Sequence, residues 1–162
     1  MELKLPLSVI SQVDVARLLR ELNGLEDFFI GLAARKPGTP MQPPRLSRLL
    51  EQIAVDNQHN LLEESSRGDL SAKLGEILNK APLLHISFAA EPSGRALESI
   101  LIWLRQNIHP QVLLAVGLQP TIAAGCVLRT PNRLFDMSMR NHLKAQEPYM
   151  VQLIQGAADG SK

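Results

Sequence analysis

A chain of 162 residues, 45% hydrophobic and 20% charged, has the balance of a folded globular protein, which excludes disorder along its whole length. Its formal net charge of +1, from 17 basic and 16 acidic residues, gives no bulk attraction to nucleic acid or anionic lipid. The single cysteine, Cys126, excludes an internal disulfide, argues against a cysteine-rich zinc site, and is compatible with a reducing compartment. Aromatic residues make up only 4%, so the core must come mainly from Leu, Ile, Val and Ala, which suits helices.

Glu2 and Lys4 interrupt the short apolar start, so no signal-peptide pattern is expected there. No run approaches the roughly 20 apolar residues that cross a bilayer. Any work at a membrane is therefore expected to go through a partner.

From Ser11 the pattern is helical. Val15, Leu18, Leu19, Leu22, Leu25, Phe29 and Leu32 recur at steps of three and four. Ser11 and Asp14 are both candidate N-caps, and Gly24 leaves one long helix or two shorter ones open. Lys36-Pro37-Gly38-Thr39-Pro40 and Pro43-Pro44 then exclude a regular helix or central strand, which predicts a linker near 36–44. A second amphipathic helix carries Leu46, Leu49, Leu50, Ile53 and Ala54 towards Leu61. A third is expected to begin at Asp69 as cap, run through Leu70, Leu74, Ile77 and Leu78, and close at Pro82.

At Pro82 the period changes. Leu84, Ile86 and Phe88 alternate with His85 and Ser87, as in a two-faced strand. A turn at Glu91 to Gly94, with Ser93 as cap, leads into a helix through Ala96, Leu97, Ile100, Leu101, Trp103 and Leu104, ending near His109-Pro110. A strand at Val112 to Val116 follows. That order suits a right-handed crossover between parallel strands. Strands at Gly125 to Thr130 and Arg133 to Asp136 are joined through Thr130-Pro131-Asn132. A helix from about Ser138 to Ile154 ends the fold, with Asp136 and Ser138 as acceptors for its opening N–H groups and Pro148 expected to kink or split it.

The expected class is α+β: a helical region over 1–81, then a domain over 82–155 built on a small mixed four-stranded sheet with two packed helices. A flexible polar tail over 156–162 completes the chain.

Catalytic signatures are scarce. Neither a phosphate loop nor G-x-G-x-x-G occurs. His59, His85, His109 and His142 fall in four different elements, without the spacing of metal ligands. Cys126 sits in an apolar run and reads as a core residue, and no carboxylates pair by spacing alone. The expectation is a non-enzyme with no cofactor and no metal. Leu46-Ser-Arg-Leu49-Leu50 has the form of an L-x-x-L-L docking string, though a core-facing stripe is the favoured reading. Arg129, Arg133, Arg140 and Lys144 form a basic cluster that could meet an acidic partner helix.

One stretch is more specific. Leu118-Gln-Pro120-Thr-Ile122-Ala-Ala-Gly125-Cys-Val-Leu128-Arg129, followed by Leu134-Phe-Asp136-Met-Ser138-Met-Arg140-Asn-His-Leu143, resembles the C-terminal signature of the delta (oligomycin-sensitivity-conferring) subunits of F-type ATP synthases. That family carries D-P-x-L-I-G-G, an alternating strand, a tight hairpin, and D-x-S-x-x-x-x-L opening the last helix. Pro120, Ile122, Gly125, Asp136, Ser138 and Leu143 stand at the matching positions, and the similarity covers about 82–155. Gln119 replaces the family's Asp, Ala124 its first glycine, and residues 1–81 are too few for its N-terminal six-helix bundle.

The resemblance implies a non-catalytic stator subunit in the peripheral stalk. Such a subunit binds the helical b subunits and links them to the alpha/beta catalytic head during proton-driven ATP synthesis. It would be peripheral on the cytoplasmic side of the energy-transducing membrane, held there only through partners, with no nucleic acid bound. The expected partner-binding residues are Tyr149, Met150, Leu153 and Ile154, with completion of the core as their alternative role. Two other functions remain open: a stator-like regulator of a flagellar-type export ATPase, and a small-molecule regulatory domain.

Overall fold

The computed structural model describes residues 3–35, 42–122, 124–130 and 132–159. The elements run α1 (Gln12–Ala33), α2 (Arg48–Asp56), α3 (Glu64–Lys80), β1 (Leu83–Phe88), α4 (Gly94–Asn107), β2 (Leu113–Leu118), β3 (Gly125–Arg129), β4 (Leu134–Ser138) and α5 (Arg140–Asp159). A 3-10 turn spans Pro120–Ile122. The class is α+β, with helices preceding a four-stranded mixed sheet.

The residues divide into two compact units. One holds 1–83 and 94–114, the other 84–93 and 115–162. These bounds do not follow the chain-order division expected at 81/82: Pro82 and Leu83, α4 and the first residues of β2 group with the N-terminal helices.

In the first unit, α1 forms one unbroken helix across Gly24. Ser11 caps it, its hydroxyl accepting from the Asp14 N–H while the Asp14 carboxylate accepts from the Ser11 N–H at 2.8 Å. Both candidate caps therefore act together, as a capping box. Val15, Leu18, Leu22, Leu50, Ile53, Leu70, Leu74 and Ile77 meet in one core with Leu3 and Val9. Each such side chain contributes about 1.5–3 kcal/mol on burial. Leu50 of the L-x-x-L-L string is among them, so that string faces the core.

The third helix begins at Glu64, five residues before the expected cap. Its first turn carries no apolar residue, so periodicity had nothing to register. Tertiary contact supplies the reason: Arg67 is buried, its Nε donates to Glu26 at 2.6 Å, and its guanidinium lies 4.3 Å from the Phe29 ring centroid. Asp69 instead pairs with Lys73 one turn on, at 2.6 Å.

Residues 5–9 are held by Arg105 of α4, whose guanidinium donates to the carbonyls of Leu5, Pro6 and Val9. Burial pushes the pKa of this guanidinium down from its ordinary value. Trp103 of the same helix points outward, although the apolar run placed it with Leu101 and Leu104, which are buried.

At the end of α2, Gln58 takes a φ of 57°, with its N–H on the Val55 carbonyl and the His59 N–H on the Ala54 carbonyl. This is a Schellman ending, in which glycine is the usual residue. Gln58→Gly is expected to raise stability by about 0.5–1 kcal/mol, the left-handed strain relieved less the greater entropy of an unfolded glycine. Thermal unfolding measures it, and a lower Tm would contradict it.

In the sheet the strand order is β2-β1-β3-β4. β1 pairs antiparallel with β3, and β3 with β4. The Leu113 N–H meets the Pro82 carbonyl and the Gln119 N–H meets the Phe88 carbonyl, a constant offset that makes β1 and β2 parallel. Of the linker expected near 36–44, residues 36–41 lie outside the described residues and 42–44 have no regular structure; 160–162 of the expected tail also lie outside them. Positions 156–159, expected as tail, belong to α5.

Candidate functional site

The second unit is organised around the β3–β4 hairpin. Thr130 donates its N–H to the Arg133 carbonyl at 2.8 Å, and its hydroxyl accepts from the Arg133 N–H at 2.9 Å, which closes the turn. At the other end of the hairpin the Met139 N–H donates to the Ala124 carbonyl at 2.9 Å. Opposed residues alternate between pairs that exchange hydrogen bonds and pairs that do not. Thr130/Arg133 and Ala124/Met139 bond, so Leu128/Phe135 and Cys126/Met137 bond as well. It follows that Leu134, Asp136 and Ser138 point their backbone groups away from β3.

Gly125 enters the hairpin with a φ of +92°, and a Cβ there would stand 2.5 Å from the Met137 carbonyl oxygen. Only glycine fits both conditions. Its match to the resemblance therefore has a physical cause in this chain.

Register also fixes the faces. Ile86 is opposite Leu128, which is opposite Phe135; Phe88 is opposite Cys126, which is opposite Met137. Directly opposed residues share a face. Ile86, Phe88 and Leu128 are buried on it, whereas Phe135 is 44% and Met137 54% exposed. The apolar face thus continues onto β4 without cover.

The described side chains of the helix that follows do not supply that cover. Every described side chain of α5, over 144–155, is exposed. Tyr149, Met150, Leu153 and Ile154 are 59%, 51%, 54% and 66% exposed, so none of the four completes a core. At 3.6 residues per turn they fall within an arc of about 140°. Lys144, Glu147, Met150, Val151 and Ile154 line an open depression of about 360 Å³ along the helix.

Pro148 does not split the helix, although it removes the N–H that would meet the Lys144 carbonyl. The helix starts at Arg140, so Asp136 and Ser138 lie in β4 instead of capping it. The Asp136 carboxylate accepts from the Ser138 N–H at 2.9 Å. Pro120 and Ile122 form the 3-10 turn, with Ile122 buried. The side chains of Leu143 and Arg140 lie outside the described set. Arg129, Arg133 and Lys144 are exposed and make no ion pair among the described residues.

Burial pushes the Cys126 thiol pKa up, the reverse of what an activated thiolate needs. Among the described residues no three His, Cys, Asp or Glu side chains gather as a metal site. Spacing did not reveal one grouping in the first unit: His59 Nδ1 is 3.2 Å from the Ser66 hydroxyl, and its Nε2 is 3.6 Å from Asp69. The Ser66 hydroxyl also accepts the Asn60 N–H at 2.9 Å, so the trio ties down the loop between α2 and α3. The Lys73 hydrogen bond holds the Asp69 carboxyl pKa below its ordinary value. No helix among the described residues is long and apolar enough to cross a membrane.

The protein is α+β, and its β4 face and the described side chains of α5 present apolar groups to solvent. No family model matches the chain, and no curated protein matches it significantly.

Proposed function

We propose that this protein is a delta-like stator subunit of an F-type ATP synthase peripheral stalk. Its partners are the helical b subunits and, through them, the alpha/beta catalytic head, which it holds against rotation during proton-driven ATP synthesis. The observation that carries the reading is the uncovered apolar stripe of α5, with Met150, Leu153 and Ile154 in solvent. A helix with such a stripe needs an amphipathic partner helix to bury it, and the stalk is made of such helices. The parallel β1–β2 pair, the glycine-led hairpin and the closing helix supply further support, since their order agrees with that of the delta C-terminal domain. In this role the chain catalyses nothing and needs no cofactor. It sits peripherally on the cytoplasmic side of the energy-transducing membrane, held by its partners.

Purified b subunit from the same source, immobilised and titrated with the full chain, tests the reading. Saturable binding, with alpha and beta chains recovered when the native complex is isolated through a tag on this protein, is the expected result. Recovery of an export ATPase in their place, or no binding to the b subunit, would overturn it.

A further inference from the structure

We infer that residues 3–9 are a removable strap, seated where a peptide segment of a partner protein with the same form would bind, and that displacing the strap opens that seat. The inference does not rest on the stator reading, because strap and seat both belong to the first unit. Residues 3–9 form no helix or strand and turn once, where the Val9 N–H meets the Pro6 carbonyl at 3.1 Å. Among the described residues no backbone-to-backbone bond ties them to another element; side chains fasten them. Asn57, at the end of α2, takes both main-chain groups of Lys4. Its Oδ1 accepts the N–H at 2.7 Å and its Nδ2 donates to the carbonyl at 3.0 Å. The Arg105 guanidinium donates to the carbonyls of Leu5, Pro6 and Val9 at 3.1, 3.0 and 2.6 Å. Leu3 and Val9 are the anchors, 5% and 0% exposed in the core that holds Leu50, Ile53 and Leu113.

Receptors hold peptides in this way: main-chain bonds supply affinity, and a few apolar pockets supply selection. A seat built so accepts any segment that offers carbonyls at the same places and an apolar side chain at each end. The chemistry of the partner segment follows, with apolar anchors spaced as Leu3 and Val9 are and no charge at either, since a buried charge there would be unpaired. The closed strap also carries a cost that makes it displaceable. Arg105 has no carboxylate partner among the described residues, and its Nε is buried without an acceptor. A cation desolvated against neutral carbonyls alone regains water when the strap lifts, which favours opening. Beyond the strap, the Leu114 N–H holds the Ile10 carbonyl at 2.8 Å, so lifting stops at Ile10 and leaves α1 capped by Ser11.

The test uses the full chain and, as probe, a fluorescein-labelled peptide with the sequence of residues 3–10. Wild type is expected to bind it weakly, because its own strap holds the seat for most of the time. Leu3→Asp and Val9→Asp lift the strap from either end and leave the seat unchanged. Each should bind the peptide about tenfold or more tighter by fluorescence anisotropy. Arg105→Met added to either variant should return binding to the wild-type level or below. In wild type, amide exchange at Lys4 should proceed by local opening. Its rate then stays flat in low urea, while the amides of Leu70 and Leu74 in α3 speed up. Lys4 exchange that follows α3 at every urea concentration would overturn the inference. So would equal peptide binding by wild type and both variants, or tighter binding that survives Arg105→Met. Loss of the folded helices in both anchor variants would overturn it as well, by making residues 3–9 part of the core and not a cover over it.

Discussion

Gly125→Ala is expected to destabilise the protein by about 3 kcal/mol or more, a large share of the 5–15 kcal/mol that holds a typical domain together. Two independent costs add. The left-handed φ of +92° strains any L side chain by about 1–2 kcal/mol. The new Cβ would also stand 2.5 Å from the Met137 carbonyl oxygen and 3.0 Å from the Ser138 Cα. Both obstacles are backbone atoms of β4, so neither can rotate away, and relief requires opening the hairpin where its strands pair. Overpacking of this kind costs about 1–3 kcal/mol more. Gly125→Val should be worse, because a branched side chain cannot enter the same space. Denaturant unfolding monitored by circular dichroism checks the result. A Gly125→Ala protein within about 0.5 kcal/mol of wild type would show that the hairpin does not need its glycine.

On the proposed stator reading, Met150→Asp and Leu153→Asp are expected to weaken binding to the b-subunit helices by about 30-fold or more while leaving the Tm nearly unchanged. Both side chains are more than half exposed, so the new carboxylates remain in water in the free protein and carry no burial penalty. In the complex the same carboxylates would be enclosed against an apolar partner face. That asymmetry separates a docking surface from a core. Melting and titration against the b subunit, run on the same preparations, read both halves of the prediction. Unchanged affinity would remove α5 from the interface, and unfolding of both variants would make it part of the core.

Most elements were legible because they bury one face. The stripe Val15, Leu18, Leu22, Leu25 marks α1, and the alternation Leu84, Ile86, Phe88 marks β1, since each periodicity is a projection of a buried surface. Ser11 with Asp14, the proline at residue 82 and Gly125 were readable for a local reason: capping, helix ending and left-handed backbone are decided within a few residues. Elements without an apolar face gave no such signal. The first turn of α3 has none, and only Arg67 reaching Glu26 and Phe29 across the fold shows where the helix begins.

The exposed apolar surface divides the same way. Composition and spacing placed Tyr149, Met150, Leu153 and Ile154 on the last helix, yet an apolar stripe has the same spacing whether it faces a core or a partner. Exposure is a property of what stands opposite, and only the packed structure holds that information. The same is true of Asp136. One dimension makes it a good helix cap, whereas three show it two residues inside β4, its carboxylate accepting from the Ser138 N–H. Local chemistry determined which turns and helices this chain makes. Tertiary packing decided which apolar faces are closed and which, on β4 and α5, stay open.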